Sequence, residues 1–88
     1  MSTVDLIVLT ILKRKEEIPL SEVVKKIRTI NMKKTPSKGA LYSRLNILKS
    51  RQLVNVLWKE GRKFYLISQT GEFVLTEFEN QLYESKSN

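Results

Sequence analysis

The apolar residues of this chain are spaced as helices in four places and as paired strands in one. Between Val4 and Lys15, the residues Val4, Leu6, Ile7, Val8, Leu9, Ile11 and Leu12 leave almost no polar face. A helix that is apolar all round is buried on more than one side. In so short a chain, one of those sides is expected to meet a second subunit. Ser2 or Thr3 starts this helix, and Asp5, three residues after Ser2, is placed to close an approximate capping box. Pro19 blocks its continuation. Ser21 offers an N-cap for a second helix over Glu22–Asn31. Its stripe is Val23, Val24, Ile27 and Ile30, and Lys25, Lys26 and Arg28 fall outside it.

Pro36 pushes Thr35 out of helical geometry, and Ser37 caps a third helix. Here Leu41, Leu45 and Leu48 recur at i, i+4 and i+7, which makes one inward face. The opposite face holds Gly39, Ser43, Asn46 and Ser50. Tyr42, Lys38 and Lys49 flank one side, Arg44 and Arg51 lie nearer the other, and Ile47 sits off the seam. After Gln52 the spacing changes. Leu53–Trp58 is β-prone, Lys59-Glu60-Gly61-Arg62 reads as a turn, and Lys63–Ile67 as a return strand. Ser68 then caps a last helix, Gln69 to Ser85, with Phe73, Val74, Phe78 and Leu82 as its apolar face and Glu72, Glu77, Glu79 and Glu84 outside it. The order helix, helix, helix, hairpin, helix predicts a mainly α fold with a small β-hairpin. That is a winged helix-turn-helix, in a single domain over residues 1–88.

Composition narrows what such a domain does. With 88 residues the chain supports one modest core, marginal on its own. Burial in a dimer is a common remedy. There is no cysteine and no histidine, which excludes disulfides, thiolate or imidazole metal sites, and Ser-His, Cys-His or His-based acid–base chemistry. No acids cluster face to face. An enzyme is therefore not expected, and no cofactor is implied. The first residues carry an acid and no basic region, unlike a signal peptide, and the apolar run Leu6–Leu12 is too short to span a bilayer. The expectation is a cytoplasmic, nucleoid-associated protein with no membrane partner. The net charge of +7 is uneven: Lys25–Lys63 carries twelve Lys/Arg against one acid, Glu60, whereas Gln69–Asn88 carries four acids and one Lys. A basic middle and an acidic tail argue for a localised anionic partner.

The third helix gives that partner a form. A helix that enters a major groove buries one seam and keeps the other face slim enough to approach base edges. Gly39, Ser43 and Asn46 supply the slimness. Asn46 has the donor and acceptor that adenine requires, and Ser43 can pair with any base edge. Lys38 and Lys49 are placed for phosphates, and Tyr42 either donates its hydroxyl to one or packs half-buried. The helix N-terminus at Ser37 adds its own attraction for anions. Lys33 and Lys34 in the connector, and Arg62 and Lys63 on the hairpin, complete the expected DNA-contacting set. Trp58 is expected to pack against the base of the wing or a partner subunit. For dimerisation the candidates are Val4, Ile7, Val8 and Ile11 on helix 1 (about 3–15), and Phe73, Phe78 and Leu82 on the last helix (about 69–85).

The stretch "GALYSRLNILKSRQLV", followed by Trp58 and "GRKFYLISQTG", resembles the PadR-like winged-helix transcriptional regulators. The matching positions are Gly39, Leu41, Tyr42, Leu45 and Leu48 in the recognition helix. In the wing and the entry to the last helix they are Gly61, Arg62, Lys63, Phe64, Tyr65, Ile67, Ser68 and Gly71, with conservative changes at Phe64, Ile67 and Ser68. The likeness spans Ser37 to about Leu75 well and helix 1 loosely. It departs at helix 2, where Leu20-Ser21-Glu22-Val23 replaces the family's His-Gly-Tyr stretch. The short tail is similar to the compact subgroup with a single C-terminal helix. The resemblance implies a dimer through the N- and C-terminal helices. The sequence thus points to a dimeric repressor that occupies a pseudo-palindromic double-stranded DNA site; no residue identifies a small-molecule effector. Two alternatives stand beside it: a DNA-coating architectural or partition protein using the same surface, and a winged helix used for protein–protein contact.

Overall fold

The computed structural model describes residues 2–14, 17–30 and 35–86. In chain order the elements are α1 (Thr3–Lys13), β1 (Ile18–Pro19), α2 (Leu20–Arg28), α3 (Lys38–Ser50), β2 (Val54–Lys59), β3 (Arg62–Ile67) and α4 (Gln69–Lys86). The winged-helix order predicted from spacing is present. One strand is new. Ile18 and Pro19 pair antiparallel with Tyr65 and Phe64, which makes a three-stranded sheet in the order β1-β3-β2. Proline tolerates this position because the strand lies at the sheet edge, where its missing N–H is not needed. The strand also moves the start of α2. Pro19 is its N-cap, with no side-chain cap bond, and Ser21 lies inside the first turn instead of capping it.

Two helices begin as their sequences require. Ser2 Oγ accepts the Asp5 N–H at 3.1 Å, and the Asp5 carboxylate accepts the Ser2 N–H at 3.2 Å, which completes the capping box on α1. Ser37 Oγ accepts the Ala40 N–H at 3.1 Å at the head of α3. The core is built from one side of every element: Val8, Leu9 and Leu12 of α1, Val23 and Ile27 of α2, the Leu41-Leu45-Leu48 seam of α3, Val54 and Tyr65 of the sheet, and Leu75 of α4. On α4 the inward seam is Gly71, Val74, Leu75 and Phe78, which keeps Val74 and Phe78 of the predicted face and replaces Phe73 and Leu82 by Gly71 and Leu75. Phe73 is 67% exposed and Leu82 51%.

The passage from α3 into the wing is closed by backbone geometry. Gln52 has φ 63°. This left-handed residue lets its N–H donate to Lys49 O and the Leu53 N–H donate to Leu48 O, both at 2.9 Å. Such a helix end usually carries glycine, which has no Cβ to strain. Gln52→Gly is therefore expected to raise stability, by about 0.5–1 kcal/mol once the added freedom of the unfolded chain is subtracted. A shift of the denaturant midpoint with unchanged slope checks it, and a fall in midpoint would show that the glutamine side chain holds the corner. At the wing tip Glu60 (φ 50°) and Gly61 (φ 75°) both lie at positive φ, the signature of a two-residue hairpin turn whose twist matches the strands.

Ser68 ties the far end of the wing back to this corner. Its N–H donates to Leu53 O at 3.0 Å. Its hydroxyl donates to Gln52 O at 2.6 Å and accepts the Gly71 N–H at 2.9 Å. The first turn of α4 therefore presses on the Leu53 backbone. A Cβ on Gly71 would run into the Leu53 carbonyl and come within 2.8 Å of Ile67 Cγ1.

Candidate nucleic-acid interface

Helix α3 buries its leucine seam completely and turns Lys38, Gly39, Ser43, Asn46, Lys49 and Ser50 outward. The face opposite the seam is as slim as the sequence promised. At Gly39 an added Cβ would meet nothing within 4 Å, so the fold does not require glycine there for packing.

The wing is fastened to this face through one side chain. Lys63 Nζ donates to Tyr42 Oη at 2.9 Å. The ammonium also lies 5.2 Å from the Tyr42 ring centroid and 5.5 Å from that of Trp58. The bond to the Tyr42 oxygen raises the Lys63 pKa, and the same bond and charge lower that of Tyr42, whose hydroxyl also has Asn46 and Lys49 beside it. Tyr42, Lys63 and Trp58 thus form one continuous strip from α3 to β2. Trp58 is 63% exposed, so of its two expected places the wing base is not the one it takes within the protomer. Arg62 lies over Phe64, 5.8 Å from the ring centroid, and is otherwise exposed.

Not every cation in the basic stretch faces outward. Arg44 turns toward α1, where Nε and Nη2 donate to the two Asp5 oxygens at 2.8 and 2.5 Å. Asp5 is fully buried. Burial alone would raise its pKa, but the Arg44 guanidinium and the Ser2 bonds outweigh it and hold the carboxyl below its ordinary value. Lys59 pairs with Glu17. Lys33 and Lys34 lie outside the described residues. The sequence-predicted residues that the fold brings together are therefore Ser37, Lys38, Gly39, Tyr42, Ser43, Asn46 and Lys49 on α3 and Arg62 and Lys63 on the wing. Sequence reading missed the Arg44–Asp5 pair, whose partners are far apart in the chain, and the burial of the Tyr65 hydroxyl.

The residues predicted for a subunit interface divide in two. Val4, Ile7 and Phe78 are half-buried, and Phe73 and Leu82 are exposed, along the surfaces of α1 and α4. Val8 lies wholly inside the protomer's own core and Ile11 is only 7% exposed. Val8 is therefore not available to a second subunit, because the side of α1 that carries it is taken by this chain's own core. Among the described residues, no group of three metal-ligating side chains converges and no helix is long and apolar enough to cross a membrane.

A buried-seam helix, a short break before it and a hairpin fastened beside it define a winged helix-turn-helix. Solved structures place the fold more closely: it is that of the PadR-family transcription regulators. The chain superposes on a PadR family transcription regulator from hypervirulent Clostridium difficile R20291 with a TM-score of 0.86 at 20% identity, over 98% of this chain and 93% of that one. A PadR-like transcription factor from Bacteroides fragilis gives 0.77 at 26% identity, over 94% and 82%. A PadR family transcriptional regulator from Eggerthella lenta gives 0.72 at 25% identity, over 91% and 74%. No family model matches the sequence, and no curated protein matches it significantly.

Proposed function

We propose that this chain is a sequence-specific, double-stranded DNA-binding transcription regulator that works as a homodimer and represses by occupying its operator. The observation that carries the reading is the outer face of α3, slim and polar at Gly39, Ser43 and Asn46, with the wing cations held beside it by the Lys63–Tyr42 contact. A groove-entering helix needs that slimness, and the phosphates that rim a groove need those charges. The solved PadR-family regulators with the same fold support the regulatory role.

Selection of bound duplexes from a random pool tests it. The expected result is a pseudo-palindrome with half-sites about one helical turn, roughly 10 bp, apart. Asn46→Ala should then cost about 1–3 kcal/mol on the selected site and little on random duplex. Equal losses on both would remove Asn46 as a reader. A footprint that lengthens with protein concentration would assign the surface to DNA coating. Absence of salt-dependent duplex binding would favour protein contact, for which the exposed Trp58 of the wing offers an apolar anchor.

The dimer is expected to form through Val4 and Ile7 of α1 and Phe73, Phe78 and Leu82 of α4. Sedimentation should give a dimer at micromolar concentration, and Phe73→Glu with Leu82→Glu should give a monomer. A folded wild-type monomer under those conditions would overturn this arrangement.

A further inference from the structure

A groove of about 490 Å³ runs along α1 where the end of α2 crosses it. The α1 residues that line it, from Thr3 to Arg14, recur at i, i+3, i+4, i+7, i+8 and i+11. That spacing is one face of a helix, here about 16 Å long. Lys26, Thr29 and Ile30 form the other wall. None of the lining comes from α3 or the wing, so the groove is separate from the face described above. Its volume falls in the range of sites that take small molecules.

The lining restricts what can bind. Leu6, Ile7, Ile11 and Ile30 give it aliphatic walls. Two of its hydroxyls are already committed: Thr10 Oγ1 donates to Leu6 O at 2.8 Å, and Thr29 Oγ1 donates to Lys26 O at 2.7 Å. Apart from Thr3, the donors left for a ligand belong to Arg14 and Lys26. Neither is in an ion pair among the described residues. Among those residues the lining holds no carboxylate and no aromatic ring. Two cations that face no acid favour an anionic head by charge complementarity. Without a ring to stack on, a flat aromatic ligand gains little over a hydrocarbon chain. An alkyl carboxylate meets both conditions. Its head takes charge-assisted bonds from a guanidinium or an ammonium, and its chain covers the aliphatic walls.

We propose that this groove binds an aliphatic monocarboxylate, its chain against the α1 face and its head paired with the cations of the lining. The occupant bridges α1 to the end of α2, the helix that precedes the recognition helix. It thereby gives the helix-turn-helix a small-molecule input. The assignment rests on the groove alone and holds whether or not α3 binds DNA. Ile7 alone among the lining residues also belongs to the subunit surface proposed above, and a second copy seated in the groove is the competing occupant.

Titration calorimetry of the intact chain with decanoate, below the concentration of micelle formation, tests this. Affinity should rise about fourfold per methylene from hexanoate to decanoate. Decanol, which lacks the charge, should bind at least about tenfold more weakly. Arg14→Glu with Lys26→Glu should weaken decanoate by at least about tenfold and leave decanol as in wild type. Neither residue belongs to the core cluster, so the variant should melt near wild type. Lys25→Glu with Arg28→Glu carries the same charge change outside the lining and should bind decanoate as wild type does. Amide NMR shifts on titration should concentrate at residues 3–14 and 26–30. Equal decanoate affinity in wild type and the Arg14/Lys26 variant, equal losses in both double variants, or shifts centred elsewhere would each overturn the proposal. So would a wild type that binds no decanoate. If, in that case, Phe73→Glu with Leu82→Glu does bind it, the groove belongs to a second copy of the chain.

Discussion

Replacing Gly71 by alanine should destabilise the protein by at least about 3 kcal/mol, the upper range for forcing extra volume into a close-packed site. The obstruction is backbone, not a side chain that can rotate away. The new Cβ meets the Leu53 carbonyl and Ile67 Cγ1. The Leu53 carbonyl is held in place because it accepts the Ser68 N–H. Relief would require α4 to lift from the corner between α3 and β2, and the Gly71 N–H bond to Ser68 Oγ would go with it. Chemical denaturation of the purified variant is the measurement. A midpoint within error of wild type would mean that the α4 entry is looser than its geometry implies. Gly39→Ala is the matched control, since it adds the same atom to a helix where nothing stands within 4 Å.

Asp5→Ala should show the second largest loss, with a dependence on pH that identifies its source. Two contributions disappear together: the arm of the capping box in which the Asp5 carboxylate accepts the Ser2 N–H, and the pair with Arg44, a hydrogen bond to a charged group being worth about 1.5–3 kcal/mol; the Ser2 Oγ bond to the backbone N–H of residue 5 stays. The folded carboxyl titrates below its ordinary value. Its stabilising contribution is therefore complete above the unfolded pKa of about 3.9 and is lost as pH falls through the folded value. The gap between wild type and variant should be full at neutral pH and close progressively below about pH 4. A gap that stayed constant down to pH 2 would assign the loss to packing alone.

Periodicity was enough for the parts of the fold that rest on a single buried face. The Leu41-Leu45-Leu48 seam fixes which way α3 turns, and with it the outer set at Gly39, Ser43 and Asn46. Where a helix is apolar all round, spacing does not say which side serves its own core. Val8 was for that reason expected at a subunit surface and is found inside. In α4 the aromatic residues drew the predicted face toward Phe73, while the true seam runs through Gly71 and Leu75, set by the closeness of the Leu53 backbone. β1 was unreadable because two residues carry no period, and because proline there signals a break as readily as an edge strand. The Asp5–Arg44 pair and the burial of Tyr65 depend on tertiary closure, which no local window contains.

The lysine that bridges wing and recognition helix has a thermodynamic side. A free lysine on a surface samples many rotamers, and fixing it on a ligand costs that freedom. Lys63 is already fixed, between the Tyr42 hydroxyl and ring on one side and the Trp58 ring on the other. The ordering is completed when the chain folds and is not charged again when a ligand arrives. Binding at this face should therefore resemble the docking of two rigid bodies, with a smaller entropic penalty than a mobile wing would impose. Substituting Tyr42 by a residue that releases the lysine should make association more enthalpic and more unfavourable in entropy, even where the affinity changes little.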